Sequence, residues 1–493
     1  MEVHVLDRES RPNASYRRVV STMFCYTLAA AAGASLYFAS VLDAKSLLIF
    51  IMGVLGSFPL LRITLAGRGD PLSPGVLLPF TYMLYALGPL TAAGFFTDDT
   101  YVLYLLFQIL GLLSMVVGLH IGIRRQDAGS RRGTFQDPRP CESVSRRTRL
   151  MLLATAGVLL MVAIPSVLSQ LYAFGGLGGL IKTGYGGARY LVLNSSLTFG
   201  TGFEWWLLGS VLLAFCGITF RNTVHFWIGL VLYVGLALIL LLIGGRSTLV
   251  YTLLFGVALY HYGYRRISSR VVTLGLLVGI GAAQFYALAR YYLPGGLLYA
   301  VSQTWSGVLR NPLLLAPWTT GEFINPATSL LEILQYGGPH LLFGASYFPA
   351  LGGPIPFVAR LFAQVGFDPN AWRLQRFHPE VLAAGGGLGF SPVTEGYMNF
   401  GVLGIVGHMF LYGYSIGWIY RRLSTNSSTS MILLFAGSLP AFMLDGMRIN
   451  TTSFMYKWTR SYLMPWIIFV VLELFFRTTT AGATRPARRP ANG

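Results

Sequence analysis

The chain has 493 residues, of which 54% are hydrophobic and only 11% charged. A soluble domain carries about 25% charged residues, so this composition excludes an ordinary soluble globular protein and, with a mean hydropathy of +0.59, points to an all-α polytopic membrane protein. The formal net charge of +18 comes almost entirely from arginine, and in such a chain the excess reflects loops facing anionic lipid, with no nucleic acid needed to explain it.

A spanning helix needs about 20 apolar residues. Twelve candidate spans occur, at about 20–41, 46–66, 74–95, 101–123, 150–172, 203–220, 224–243, 247–264, 271–290, 396–420, 430–447 and 459–477. The leading segment 1–19 carries Arg8, Arg11, Arg17 and Arg18 and runs into a first anchor, with no cleavable leader in view. Arg62, Arg68, Arg221, Arg265, Arg266, Arg270, Arg421 and Arg422 fall in alternate links. The arginines of the polar link 124–149 and of the tail 478–493 join them. A twelve-span path with both termini cytoplasmic puts all of these inside. The link 124–149 reads as a mobile cytoplasmic loop and the tail as disordered, which leaves 20–477 as a single transmembrane domain. No internal repeat or heptad run is visible, so repeat-built transporters gain no support. Cys25, Cys141 and Cys216 suggest neither a disulfide framework nor a metal site.

Two links on the external side are long. One, 173–202, is glycine-rich and carries Lys182 and Arg189; the other, 291–395, lies between the ninth and tenth spans. A link of that length is functional or holds structure of its own. Short helices lying across the external face are expected there, one of them over Asn325 to Gln335.

The external side also breaks the usual charge preference. Lys45, Lys182, Arg189, Arg246, Arg290, Arg310, Arg360, Arg373, Arg376, Arg448, Lys457 and Arg460 all lie on or near it, several where spans end. Guanidinium groups bind phosphate oxygens in pairs and stay charged at any working pH, so an anion held at this interface would account for them. Arg246, Arg290, Arg448, Arg373, Arg376 and Arg189 are the candidate anion ligands. Gly245, in the Gly244-Gly245-Arg246 run, lets a ligand approach the backbone. The plainer alternatives are snorkelling, above all for Arg310, Arg360 and Arg460, and mutual neutralisation of Asp445 and Arg448 three residues apart.

The stretch Gly385 to Gly417 begins as a glycine-rich loop and reads as passing without a break into an apolar helix. At the turn it carries Ser391, Pro392, Glu395, Tyr397 and Asn399. A carboxylate at the mouth of a membrane helix costs on the order of 3 kcal/mol unless paired or wet. Glu395 is therefore a candidate acid or base, or the partner of an arginine. Tyr397, Asn399 and Ser391 suit sugar hydroxyls, although Tyr397 and Asn399 also suit interface anchoring. His378, in RLQRFHPE, is a second candidate base, since Arg373 and Arg376 nearby would favour its neutral form. The other histidines are read as structural. Asp98-Asp99 is an acidic pair without a supporting motif, so no metal or other cofactor is assigned.

Three segments, in order, resemble the bacterial O-antigen polymerases of the Wzy type, or oligosaccharide repeat-unit polymerases. They are GGRSTLVYTLLFG (Gly244 to Gly256), LLFGASYFPALGGPIPFVARLF (Leu341 to Phe362), with its G-x-S-Y and I-P elements, and GLGFSPVTEGYMNFGVLG (Gly387 to Gly404). Where the family often has arginine directly after I-P, this chain has Phe357, with Arg360 later. The resemblance implies a GT-C-like fold in the bacterial cytoplasmic membrane and, as substrate, an oligosaccharide repeat on undecaprenyl diphosphate. It implies transfer of a growing glycan from its lipid diphosphate to the terminal sugar of another lipid-linked repeat. A chain-length regulator and a flippase would be partners. Fixed arginines would stabilise the charge that gathers on the departing diphosphate, Glu395 or His378 would activate the acceptor hydroxyl, and direct attack would invert the anomeric centre. Apolar grooves between spans would hold the prenyl chains. The rivals are an O-antigen ligase, using the same donor, and a flippase or transporter of lipid-linked glycan.

Overall fold

A computed structural model describes residues 43–483 except 67–68, 91–95, 125–144, 174, 177, 180–201, 244–245, 290–291, 293–295, 317–320, 340, 353–361, 363–365 and 384–386. Within these the regular elements are helices, with no strand. In chain order the longer ones are α1 (Ala44–Ala66), α2 (Pro74–Ala86), α3 (Asp98–Arg124), α4 (Arg146–Ala173), α5 (Gly202–Thr219), α6 (Thr223–Ile243), α7 (Arg246–Gly263) and α8 (Ser269–Ala289). Then follow α9 (Leu297–Arg310), α10 (Gly321–Tyr336), α11 (Pro369–Phe377), α12 (Pro392–Thr425), α13 (Thr429–Met443), α14 (Thr451–Lys457) and α15 (Met464–Ala483). A backbone in lipid must satisfy its own hydrogen bonds, so each long apolar run becomes a helix.

Of the twelve expected spans, the first (20–41) lies outside the described residues, as do the leading segment, the polar link 125–144 and the end of the tail. Each of the other eleven coincides with a helix. By length and composition eight described helices can cross a membrane, or nine if the bent pair Thr451–Tyr462 and Met464–Arg477, at 49°, is one span. The segment Pro74–Leu90 is shorter, and α7 is diluted by Ser247, Thr248, Thr252 and His261. The long segment expected to hold short helices contains α9, α10 and α11, with α10 covering the stretch anticipated over Asn325 to Gln335.

The helices divide into centre and rim. The apolar window of α13 is 78% buried, those of α1, α6 and α8 only 17%. The tightest pairing is α3 against α12, and glycine makes it possible. Gly118 and Gly122 of α3 face Gly413 and Gly417 of α12; a Cβ on Gly122 would lie 2.6 Å from the Tyr414 oxygen, and one on Gly417 2.6 Å from the Leu119 oxygen. Small residues four apart on both helices let the backbones touch, which is how helices associate where no hydrophobic force separates protein from lipid.

α7 is tied to an aspartate at each end. Near its start the Tyr251 hydroxyl donates to Asp445 at 2.8 Å. Near its finish Tyr262 donates to Asp70 at 2.6 Å, and His261 Nε2 lies 3.2 Å from the same carboxylate, which also accepts from Tyr420 of α12 at 2.6 Å. At a rise of about 1.5 Å per residue the two ties hold opposite ends of one span. Such contacts sort the helix ends into two groups. The start of α7 and the end of α13 share one group; the ends of α1, α7 and α12 share the other.

The largest departure from the expected course is in α12. Phe400 (φ −140°, ψ 21°) and Gly401 (φ 62°, ψ −141°) are not helical. The chain turns back there, so that Gly396 of the first limb meets Gly404 of the second and His408 comes beside Pro392. Both pairs are symmetric about residue 400. The expectation of an unbroken helix from 396 to 420 is therefore corrected. Residues Pro392 to Asn399 form a short separate limb, and the span proper begins after Gly401. The carbonyls freed at the end of the first limb are not left bare: Leu342 N donates to Met398 O at 3.0 Å and Phe343 N to Asn399 O at 3.1 Å.

Candidate active site

The hairpin in α12 places Glu395 at a junction of three segments. Ser391 caps the first limb, accepting from Val393 N at 3.3 Å, and Pro392 follows at the first helical position, where its missing N–H costs nothing. One turn on, Glu395 is fully buried. Ser346 donates to its Oε1 at 2.8 Å, while the Thr451 backbone N–H at 2.7 Å and hydroxyl at 2.8 Å donate to its Oε2. A buried carboxylate is tolerable only with such donors, and here they replace the arginine partner that the sequence had left open. Asn399, also buried, donates to Ser346 Oγ at 2.7 Å and to the Glu395 carbonyl at 2.8 Å, and accepts from Gly344 N at 3.0 Å. The G-x-S-Y element around 344–347 and the segment around 395–399, about fifty residues apart in the chain, thus form one hydrogen-bonded unit.

His408, read from sequence as structural, belongs to this unit. Its Nδ1 lies 3.1 Å from the Tyr347 hydroxyl and its Nε2 3.4 Å from Thr451 Oγ1. Burial, with the charge of Glu395 adding, raises Tyr347 above the usual phenol range, so it remains a neutral hydroxyl. Nothing in the local sequence flags His408; only the reversal at Gly401 brings residue 408 back over residue 392.

Arg373 and His378 are drawn to a different carboxylate. Arg373 is fully buried. Its Nε and Nη2 grip Glu332 at 2.7 and 2.9 Å, Nη1 donates to Asn325 O and Gly389 O at 3.0 and 2.6 Å, and Nη2 also donates to Thr328 Oγ1 at 2.9 Å. All five N–H bonds are spent on protein, so this guanidinium has none left for a diphosphate. It fastens α11 and the glycine loop before α12 to α10. His378 Nε2 lies 3.0 Å from the same Glu332 and its Nδ1 3.8 Å from Glu380. Two carboxylates face the imidazole where two cations were expected, the opposite sign of environment. Arg376 is exposed on α11.

The third feature is a cavity of about 450 Å³ between α2, α7 and α8, walled mainly by apolar side chains such as Phe80, Leu254, Val257 and Ile280. Ser247, Tyr251, Phe323 and Arg448 also line it. Arg448 Nε lies 3.5 Å from Asp445, and its guanidinium stands 5.7 Å from the Tyr251 ring. Lys457 Nζ approaches the same fully buried Asp445 at 3.3 Å, Tyr462 donates to it at 3.4 Å, and Glu204 of α5 is close enough to interact with Lys457 and Asp445. The Asp445–Arg448 pair is thus real but part of a larger charged cluster, and Glu204 is a member that sequence reading missed. Arg448 precedes Thr451 by three residues, so their Cα atoms are at most about 11 Å apart. The Arg448 carbonyl accepts from Phe390 N at 2.6 Å, which couples the cluster to the loop before Glu395.

The remaining candidates are dispersed or out of view. Tyr397 is half-buried against Phe107, ring centroids 5.3 Å apart. The backbone of Arg246 opens α7, one residue before the cavity-lining Ser247, but its side chain, Gly245, Arg290 and Arg189 lie outside the described residues. Asp98, of the acidic pair, bonds Lys45 at 3.1 Å. Among the described residues no group of three or more His, Cys, Asp or Glu side chains could hold a metal ion.

Residues 363–480 match the sequence model of the family described as O-antigen polysaccharide polymerase Wzy. The matched stretch runs from before α11 into α15 and contains Glu395, Asn399, His408, Asp445, Arg448 and Thr451. It bears out the resemblance to Wzy-type polymerases. No curated protein and no solved structure matches the chain.

Proposed function

We propose that this multi-pass membrane protein polymerises lipid-linked oligosaccharide repeats at the external face of the bacterial cytoplasmic membrane, with both termini cytoplasmic. The donor is a glycan on a polyprenyl diphosphate and the acceptor is the terminal sugar of another lipid-linked repeat. The observation that carries this reading is the apolar cavity reaching Arg448, within a few residues of the buried Glu395 unit and in the segment that matches the polymerase family. Its volume of about 450 Å³ lies in the range of ordinary ligand pockets, and its apolar walls suit a hydrocarbon chain. Arg448 and Lys457, with Arg246 on the neighbouring helix end, supply positive charge for the diphosphate.

In this reading the acceptor hydroxyl attacks the anomeric carbon as the bond to the diphosphate oxygen breaks, with inversion. The electron pair passes to the lipid diphosphate. Charge therefore grows on the leaving oxygens during the step, and prepositioned cations in a water-poor site stabilise that growth more than they stabilise the ground state. Glu395 is the ultimate proton acceptor. Arg373 and His378 hold the scaffold beneath the site instead of touching the diphosphate.

The test is the purified protein in liposomes with a synthetic polyprenyl-diphosphate repeat, read as a ladder of glycan lengths. Elongation that persists in a chelator and falls at least about 10²-fold in Arg448→Gln supports the reading. A requirement for a divalent cation would remove the metal-independent step, and transbilayer movement of the lipid without elongation would favour a transporter.

A further inference from the structure

Glu395 is fully buried, and its oxygens already accept from Ser346 and from both donors of Thr451. A sugar hydroxyl has no direct approach to it. Three half-buried side chains nevertheless lead outward from Oε2: Thr451 Oγ1 at 2.8 Å, His408 Nε2 at 3.4 Å from that hydroxyl, and Tyr347 Oη at 3.1 Å from His408 Nδ1. Tyr347 belongs to a segment that also carries the exposed Phe343 and Phe348, 74% and 50% accessible.

With a neutral imidazole, one direction satisfies every contact along this line when Glu395 is ionised. A carboxylate only accepts, so the Thr451 hydroxyl hydrogen points to it. Thr451 Oγ1 is then an acceptor and takes a hydrogen from His408 Nε2. His408 Nδ1 is bare and accepts from the Tyr347 hydroxyl. When Glu395 is protonated the same four groups are satisfied with every hydrogen reversed, and the imidazole is neutral in both states. A chain with two complete polarities, ending in a titratable group, is what carries a proton.

We propose that Tyr347, His408 and Thr451 form a proton relay that takes the acceptor hydroxyl proton to the buried carboxylate of Glu395. This rests on the glycosyl-transfer reading above. As the acceptor oxygen bonds the anomeric carbon, its proton passes to Tyr347 Oη and the Tyr347 proton to His408 Nδ1. The Nε2 proton passes to Thr451 Oγ1 and the Thr451 proton to Glu395 Oε2. The glycosidic electron pair leaves with the diphosphate, so one proton reaches Glu395 and one negative charge reaches the side held by Arg448. Tyr347 is the catalytic residue that meets substrate; His408 and Thr451 act through it. The 3.4 Å step is the loosest, as hydrogen bonds used in catalysis often are before substrate binds.

The relay predicts a pattern that a packing role does not. In the liposome elongation assay with the synthetic polyprenyl-diphosphate repeat, Thr451→Val keeps the shape and removes the hydroxyl. It is expected to lower kcat about 10²-fold with KM unchanged, while Thr451→Ser recovers most of the rate. Tyr347→Phe and His408→Phe are expected to lower kcat to a similar degree. The double variant Tyr347→Phe/Thr451→Val should be no slower than the worse single variant, because one break already stops the chain. Thermal melting in detergent identifies any variant that is merely unfolded, and the Ser and Phe variants at 451 and 347 keep the comparison open if one fails. Equal rates for Thr451→Val and Thr451→Ser, or losses that multiply in the double variant, overturn the relay while leaving the polymerase reading intact. Wild-type protein that does not elongate the repeat overturns that reading itself.

Discussion

Gly396 and Gly404 pack backbone to backbone across the reversal in α12. A Cβ on Gly396 would come within 2.6 Å of the Gly404 carbonyl oxygen, and one on Gly404 would come closer still to the Gly396 oxygen. The two limbs can lie this close only because neither position has a side chain. Since the reversal is what carries His408 over Pro392 and sets Asn399 against the 342–346 loop, these two glycines underlie the whole Glu395 unit. Gly404→Ala is expected to destabilise the protein by about 1–3 kcal/mol, the usual cost of overpacking, and to abolish elongation. Gly401→Ala should cost about 1 kcal/mol or more because of its positive φ of 62°. Gly407→Ala, where a Cβ meets nothing within 4 Å, should be neutral or slightly stabilising. Melting curves in one detergent compare the three.

Arg373 and Glu332 form a buried pair, and the tie is made of more than charge. Removing one member leaves the other uncompensated, which costs about 3–5 kcal/mol. Arg373→Ala and Glu332→Ala are each expected to reduce the folded yield severely. Arg373→Lys keeps the charge but loses the planar fork that reaches Glu332, Asn325, Thr328 and Gly389 at once, and should also melt early. Arg376→Ala, at an exposed position on the same helix, should melt like the wild type. Equal stability of Arg373→Ala and Arg376→Ala would return Arg373 to the list of anion ligands.

The cavity between α2, α7 and α8 can be filled without disturbing its walls. Gly275 and Gly279 both line it, and a Cβ on either meets no atom within 4 Å. Gly279→Leu is expected to leave the melting temperature unchanged and to raise KM for a long-chain lipid donor about tenfold, equivalent to losing contact with one or two methylene-sized groups. A donor with a truncated prenyl chain should be affected less. An unchanged KM for the long-chain donor would place the hydrocarbon elsewhere.

Asp70 ties the other ends of the helices and makes stability depend on pH. Burial by itself opposes its ionisation, but the interactions with His261, Tyr262 and Tyr420 outweigh it and hold its pKa below the usual carboxylate range. Folded Asp70 therefore binds fewer protons than unfolded Asp70. Its contribution is complete above the unfolded value of about 4 and is lost as pH falls through the lower folded value. His261 Nδ1 accepts from Ile267 N at 3.0 Å, so its Nε2 carries the hydrogen shared with Asp70. The unfolding midpoint should be insensitive to Asp70 between about pH 6 and 8 and should fall below about pH 4; Asp70→Asn should lower the midpoint at neutral pH and flatten that acid limb.

Hydropathy along the chain was enough to establish an all-helical membrane protein and to locate every described span within a few residues, because burial in lipid is a requirement each apolar run meets on its own. It was also enough to single out Glu395 and Asn399, since a polar group at the mouth of such a run is expensive wherever the rest of the chain lies. What tertiary structure alone decided was which groups meet. Ser346, Glu395, His408 and Thr451 are scattered over about a hundred residues, and their contacts depend on one glycine taking a positive φ in the middle of an apolar run whose composition looks continuous. Arg373 and Arg448 look alike in sequence; packing buried one against Glu332 and set the other beside an apolar cavity. Charge can be counted from composition, but the partner of a charge is settled by desolvation, and desolvation exists only once the helices have packed.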